Sequence, residues 1–180
     1  MRIEKINSDI YAAKYPGQKQ NEFGRLIKCW KDPEYLEQFF EDNIEDFNSG
    51  FYNDISIEDA IFETIEEASA FEQKVLQLAK GKDIKGLESL FKPLSEIQKE
   101  IPYGNRKAYG TRRKSWLRLY AVKVPENGYL ITGGAIKLTK KMEVREHTTK
   151  ELKKMDQCKA FLKSKGVFDQ DGLLDFELEL

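Results

Sequence analysis

The chain has few of the residues that usually carry metal or nucleophilic chemistry. Its 180 residues include only two cysteines, Cys29 and Cys158, and one histidine, His147. The cysteines lie far apart, and neither has a ligand-type residue close to it, so we expect reduced thiols. A histidine-dependent catalytic triad would have to use His147. The sequence therefore predicts neither a metal site nor another cofactor.

Long apolar runs are also missing. No segment approaches the roughly 18 consecutive apolar residues that suggest a membrane span. The N-terminal stretch MRIEKINSDIYAAKYPG has neither an uninterrupted apolar region nor a small-residue cleavage site, so we expect no secretory signal. With 40% apolar and 12% aromatic residues, the chain can build a hydrophobic core. We expect one cytoplasmic domain, residues 1–180, that does not interact with a membrane.

The glycines do not form a nucleotide-binding loop. No Gly-rich segment ends in Gly-Lys-Ser or Gly-Lys-Thr, and Gly133–Gly134 lacks the spacing of a dinucleotide loop. No serine or cysteine stands in a nucleophile-elbow motif. Carboxylates are plentiful, but most recur at helical spacing, which is typical of solvated helix faces rather than of a glycosidase pair.

Each half of the chain is short of charge of one sign. From Lys31 to Glu72 there are 14 acidic residues and one basic residue, a net charge of −13. From Tyr103 to Lys165 there are 17 basic and 5 acidic residues, a net charge of +12. Such a separation indicates either a polyanion site on the basic half or attraction between the halves. A third interpretation is that two solvated faces simply differ.

The first half of the chain predicts a strand followed by helices. DIYAAKY, residues 9–15, has the composition of a strand, and a turn signal follows it. Asp32 then precedes Pro33, which is the usual order of an N-cap and the first helical position. A longer helix is expected to begin after Ser56, as its N-cap, and to end at Gly81.

A β-hairpin is the clearest prediction in the second half. WLRLYAVKV, residues 116–124, alternates, with Trp116 and Arg118 on one face and Leu117 on the other. The Asn-Gly pair of PENG is a strong turn signal, and YLITGGAIKLT is the expected partner strand. Gly133–Gly134 predicts a bulge or a close backbone approach.

These elements together predict an α+β fold. Residues 148–165 form an amphipathic basic helix that Gly166 ends, and VFDQDGLLDFELEL could add a last acidic strand. We expect an antiparallel sheet of about four to five strands, including the N-terminal one. A helical layer should cover one face, with the C-terminal basic helix beside the sheet.

Arginine, lysine and tyrosine are concentrated between Tyr103 and His147. Cations attract phosphates, and aromatic rings stack on unpaired bases, so this segment predicts a nucleic-acid surface. The cations expected to bind RNA are Arg112, Arg113, Lys114, Arg118, Lys140, Lys141 and Arg145.

A surface of this kind can also cleave RNA without a metal. The 2′-hydroxyl must lose its proton, the phosphate must carry additional negative charge, and the 5′-oxygen must leave. The candidates for moving protons are His147, Tyr109 and Lys137. The candidates for stabilising the charge are Arg112, Arg113, Lys140 and Arg145.

The order of these segments resembles a known family. VLQLAKGKDIKGLESLFKPLSE is followed by the hairpin WLRLYAVKV-PENG-YLITGGAIKLTKKM and then by the helix TTKELKKMDQCKAFLKS. Over about residues 57–165 this order is similar to the RelE/ParE-type toxin superfamily, most closely its HigB-like, phage-derived branch. The matching positions are Arg118, Tyr120, Gly134, Ala135, Ile136, Lys137, Lys140 and Lys141.

The resemblance implies a ribosome-dependent mRNA endonuclease that an antitoxin protein holds inactive. By position, Lys137, Lys140 and Arg145 would hold phosphate, with His147 or Tyr109 near the scissile bond. Residues 56–165 would form the toxin-like core. Residues 21–55 would be an acidic helical insertion, and the acidic helical region could cover the basic surface within the same chain.

Two other functions remain open at this point. The hairpin could belong to a non-catalytic module of a mobile element that binds nucleic acid or protein. Alternatively, the chain could be a toxin-fold relative that acts on another target through protein contacts. The first alternative predicts salt-sensitive binding without cleavage.

Overall fold

The computed structural model describes residues 1–49, 55–81, 83–99, 101–124, 128–138 and 146–167, with the backbone alone for residues 146–148. The predicted turn at 125–127 and the final strand beyond Val167 lie outside these residues. The helices and strands are β1 (Arg2–Asn7), β2 (Ile10–Lys14), α1 (Glu22–Trp30), α2 (Pro33–Asp42), α3 (Ile44–Phe47), α4 (Ile57–Lys80), α5 (Ile84–Leu90), β3 (Lys92–Pro93), a 3-10 turn (Glu96–Lys99), β4 (Asn105–Tyr109), β5 (Leu117–Val124), β6 (Gly128–Ile136) and α6 (Glu146–Ser164).

The described strands form one mixed sheet in the order β1-β2-β6-β5-β4-β3. This confirms the α+β class, but the prediction of about four to five antiparallel strands holds only in part. The sheet has six strands in the described residues, and β2 pairs with β6 in parallel. Because the chain between β2 and β6 crosses the helical layer and three other strands, their parallel pairing could not be read from local alternation.

Two strands were missed because they carry little periodic signal. β1 is an edge strand in which Ile3 is buried while most of its other side chains reach solvent. β3 has only two residues, Lys92 and Pro93, paired with Lys107 and Arg106. A two-residue strand that includes proline at a sheet edge offers no pattern to recognise.

The hairpin strands are buried on both faces of the sheet. Leu119 and Ala121 of β5 pack with the core beneath α1–α5, whereas Tyr120 and Val122 pack with the core beneath α6. Every residue of β6 is buried. The predicted alternation is therefore confirmed within β5. Trp116 is the exception, because it precedes the strand and packs with Leu117 on the α1–α5 side.

The predicted helix starts are confirmed by their hydrogen bonds. The Asp32 carboxylate accepts from the backbone N–H of Glu34 at 3.1 Å and of Tyr35 at 3.3 Å. The Ser56 hydroxyl accepts from the backbone N–H of Asp59 at 3.0 Å. Each cap satisfies amide donors that lack a partner in the first helical turn.

The acidic segment before α4 supplies part of the core. Trp30 of α1 is 1% exposed and stacks on Phe71 of α4, with ring centroids 6.5 Å apart. Phe40 of α2 meets Trp116 edge-on at 5.7 Å. Residues 21–55 therefore cannot be removed without exposing the α1–α5 side of the sheet. Within the described residues, every helix is too short or too polar to cross a lipid bilayer.

A network of charged side chains joins the two helical layers. The Glu22 carboxylate of α1 is fully buried and accepts from Arg25 Nε at 2.7 Å and from Lys154 Nζ of α6 at 3.0 Å. Lys154 Nζ also donates to Glu151 at 2.8 Å. A side chain at Gly133 would collide with the Glu151 carboxylate. Glycine on β6 thus lets α6 approach closely enough to complete the network.

The two carboxyls of this network have opposite pKa shifts. Burial raises the pKa of Glu22, but the hydrogen bonds from Arg25 and the charge of Lys154 outweigh it, so the pKa lies below its ordinary value. Burial raises the pKa of Glu151, and Lys154 offsets this only in part. Ionised Glu22 therefore stabilises the fold, whereas ionised Glu151 does so poorly.

Substituting Glu22→Gln should lower the free energy of unfolding by about 2 kcal/mol near neutral pH, because Arg25 and Lys154 lose a charged partner but both keep some contact with water. Because folding lowers the pKa of Glu22, its ionised carboxylate stabilises the fold fully at pH values above the unfolded-state pKa. This stabilisation is lost as the pH falls through the folded-state pKa. The difference from wild type should therefore stay constant from about pH 7 to about pH 5 and shrink as the pH falls further, towards about pH 3. Urea unfolding followed by circular dichroism measures it.

The control is Glu151→Gln, which removes the same charge from the same network. It should cost clearly less at neutral pH, because burial already disfavours the ionised form of Glu151. Equal losses for the two variants, or a Glu22 effect that does not change with pH, would contradict this account.

Candidate nucleic-acid interface

Strand β4 offers a part of the sheet that α6 leaves open. Helix α6 packs on β5 and β6, and β4 lies beyond β5. Lys107 and Tyr109 of β4 pair with Tyr120 and Arg118 of β5, so these side chains share the α6 side of the sheet. Lys107 is half-buried and Tyr109 is 43% exposed.

Tyr109 and Arg118 form the centre of this open area. The guanidinium carbon of Arg118 lies 4.0 Å from the centroid of the Tyr109 ring, and Lys107 Nζ lies 5.6 Å from it. Arg118 Nη1 donates to the carbonyls of Ser115 at 2.7 Å and Leu117 at 2.8 Å. These bonds hold the cation against the ring, which favours it electrostatically.

The loop between β4 and β5 adds further cations. Arg113 and Lys114 are both exposed and follow Tyr109 closely in the chain. Because the loop joins the end of β4 to the start of β5, it borders the Tyr109–Arg118 pair. We call the set of Lys107, Tyr109, Arg113, Lys114 and Arg118 the basic face.

Arg112 lies in the same loop but has a different environment. Its guanidinium contacts Glu63 at 2.5 Å and Glu66 at 3.1 Å, both on α4. Its backbone N–H donates to buried Glu67 at 2.9 Å. A side chain at Gly110 would collide with Glu67. Arg112 therefore connects the loop to the acidic helix α4. The sequence had predicted that Arg112 binds RNA and stabilises the negative charge of the phosphate during cleavage.

Lys137 lies at the same end of the sheet as the basic face. Its backbone N–H donates to the carbonyl of Trp116 at 2.7 Å, just past the end of β6. Ala135, two residues earlier, pairs with Arg118. Lys137 and Tyr109, two of the proton-transfer candidates, therefore lie at the same end of the sheet.

Several predicted site residues lie outside the described structure. Lys140, Lys141 and Arg145 belong to the connection between β6 and α6. His147 is at the start of α6, where the backbone alone is described. Among the described residues, no cluster of histidine, cysteine and carboxylate side chains could hold a metal ion.

Lys107 was missing from the predicted site although a signal for it was present. It stands two residues before Tyr109, and alternation along a strand puts such residues on the same face. The glycines and proline of IPYGNRKAYGTRRKS are typical of a loop or an irregular strand, so the sequence did not define this alternation. The same alternation puts Arg106 on the other face, where it packs beneath the 3-10 turn.

Comparison with protein-family models, with curated proteins and with solved structures found no significant match to this chain. The resemblance to RelE/ParE-type toxins therefore depends on the sequence pattern alone. The evidence for a function is therefore the site itself.

Substituting Arg112→Gln should destabilise the fold, by about 1 kcal/mol or less because Glu63 and Glu66 are solvent-accessible partners. Arg113→Gln is the matched control, with the same change in the adjacent exposed position, and should leave the melting temperature unchanged. Differential scanning calorimetry distinguishes them. Equal behaviour of the two variants would mean that the α4 contacts do not hold the loop.

Proposed function

We propose that this chain binds single-stranded RNA on the basic face and acts as a toxin-like, ribosome-dependent mRNA endonuclease. The observation that carries the proposal is the exposed Tyr109 ring with Arg118 fixed 4.0 Å from its centroid. Arg113 and Lys114 are exposed in the loop that connects the strands of this pair. An aromatic ring among cations suits a strand whose bases are unpaired, because base stacking and phosphate attraction act together.

The part of the sheet at β4 that α6 leaves open is suitable for a flexible single strand of RNA. The cations lie beside β4 and in the β4–β5 loop, beyond the area that α6 covers. A single strand can place a base on Tyr109 while its neighbouring phosphates meet Arg113 and Lys114. Stacking on an aromatic ring tolerates any RNA base. This agrees with a protein that depends on the ribosome to present its substrate.

Cleavage requires groups that the resemblance assigns near this face. Lys137, Lys140 and Arg145 would stabilise the phosphate as it gains negative charge, and His147 or Tyr109 would move protons. The 2′-oxygen would attack phosphorus after losing its proton, and the 5′-oxygen would leave after gaining one. Lys137 lies two residues after Ala135, which pairs with Arg118 of the basic face. An antitoxin that covers the basic face would block this reaction.

A second candidate is an RNA-binding module without catalytic activity. It is favoured by the contact of Arg112 with the acidic helix, which engages one of the expected charge stabilisers. This candidate needs only the stacking and phosphate contacts.

The double substitution Arg113→Gln with Lys114→Gln should weaken RNA binding and reduce its salt dependence. Two lost phosphate contacts should lower the slope of log K against log salt by about 1.4 for a single strand. Tyr109→Ala should weaken binding about 5-fold or more through lost stacking. Fluorescence anisotropy with a labelled single-stranded RNA measures both effects.

The matched control is Arg2→Gln with Lys5→Gln, which removes the same charge from exposed positions on β1 at the opposite edge of the sheet. It should keep the wild-type salt slope. Similar losses in both double variants would show that binding follows net charge and not the basic face.

Induced expression in a bacterial host should arrest growth if the chain is an mRNA endonuclease. Lys137→Ala with Lys140→Ala should relieve the arrest, because phosphate charge would no longer be stabilised. Arg2→Ala with Lys5→Ala should not relieve it. Primer extension on cellular mRNA then checks for cleavage sites. RNA binding without growth arrest or cleavage would favour the non-catalytic module.

A further inference from the structure

A cleft of about 420 Å³ lies on the face of the sheet opposite the basic face. It opens between α5, the edge strand β3, the 3-10 turn and β4. Its size is within the usual range for small-molecule sites. Among the described residues, it is lined by four cations and one carboxylate, namely Lys92, Lys99, Arg106, Lys123 and Glu88. These five residues carry a net charge of +3.

Arg106 is the buried cation of this cleft. It is 4% exposed, and its guanidinium donates to the backbone carbonyls of Gln98, of Asn105 at 3.2 Å and of Lys99 at 3.2 Å. Burial lowers the pKa of Arg106. Within the described residues it forms no ion pair with a carboxylate. A buried cation normally has an anionic partner, whereas Arg106 contacts backbone carbonyls and the charge of Glu88 acts on it without an ion pair.

The backbone around Arg106 is built to hold it. Tyr103 has a φ of +57°, which is unusual for a residue other than glycine, and its side chain is buried. At the next position, a side chain on Gly104 would collide with both the Gln98 carbonyl and the Arg106 guanidinium. The chain therefore adopts a costly conformation that packs the 3-10 turn against the cation.

The other cations leave the cleft open to an anion. Lys92 and Lys99 are exposed, and neither forms an ion pair within the described residues. Lys123 Nζ contacts Glu88 at 3.0 Å, and Glu88 is half-exposed at the rim. An anion in the cleft would meet the two free ammonium groups and the guanidinium together.

The base of the cleft is partly apolar. The rings of Phe91 and Tyr129 stack with centroids 4.9 Å apart, and both residues are almost fully buried. Burial raises the pKa of Tyr129 to about 12, so its hydroxyl keeps the proton and can donate a hydrogen bond. The cleft thus combines hydrogen-bond donors with apolar aromatic side chains, which is usual for small-ligand sites.

We propose that this cleft binds a small phosphorylated molecule. Phosphate oxygens can accept from the guanidinium donors of Arg106 that its three carbonyl contacts leave over, and the lysine ammonium groups add charge without a geometric requirement. The site is separate from the basic face because alternation along β4 puts Arg106 and Lys107 on opposite sides of the sheet. The proposal does not depend on the proposed RNA binding.

Isothermal titration calorimetry with inorganic pyrophosphate tests the proposal on the full chain. We expect saturable binding with one site per chain. Arg106→Lys keeps the charge but loses the fork, and Lys92→Gln with Lys99→Gln removes the two rim cations. Each change should weaken binding about tenfold or more, since a hydrogen bond to a charged group is lost. If Arg106→Lys fails to fold, the rim double variant decides.

The matched control is again Arg2→Gln with Lys5→Gln, which should bind pyrophosphate as wild type does. Absence of saturable binding, equal weakening in the rim and control variants, or a folded Arg106→Lys variant with wild-type affinity would each overturn the site. Single-stranded RNA is the competitor. If it displaces pyrophosphate and the Arg113→Gln, Lys114→Gln variant loses both ligands, the phosphate site belongs to the basic face and the separate cleft is refuted.

Discussion

Burial of β6 on both faces is the constraint on which the rest of the structure depends. Its residues, from Gly128 to Ile136, are all buried, so both faces of the sheet centre need a helical cover. Helices α1–α5 supply one cover and α6 the other. Glu22 and Lys154 then join the two covers. Strand β6 itself carries no charged side chain, and those of β5, Arg118 and Lys123, lie near the ends of that strand.

The position of β4 near the edge explains where the cations of the basic half are found. One face of this strand presents Lys107 and Tyr109 beyond the cover of α6, and the other presents Arg106 beneath the 3-10 turn. Alternating side chains of one short strand therefore contribute to two surfaces with different chemistry. The exposed surface suits a stacked strand of RNA, and the enclosed one suits a compact anion.

The acidic and basic halves meet at a few specific contacts. Arg112 reaches Glu63 and Glu66 of α4, while Arg113 and Lys114 beside it remain exposed. Attraction between the halves is thus compatible with a polyanion site, because the Arg112 contacts hold the loop that would carry it. That the acidic helical region covers the basic surface stays a hypothesis.

Local pattern in the sequence determined the helix starts at Asp32 and Ser56, the alternation of β5 and the basic composition around Tyr109, because caps and periodicity are set by residues close in the chain. Only the tertiary structure decided the parallel pairing of β2 with β6, the contact of Arg112 with α4 and the burial of Arg106. Each of these joins segments whose closeness depends on the packing of the whole sheet. A list of cations cannot say which of them will meet a carboxylate, a carbonyl or solvent.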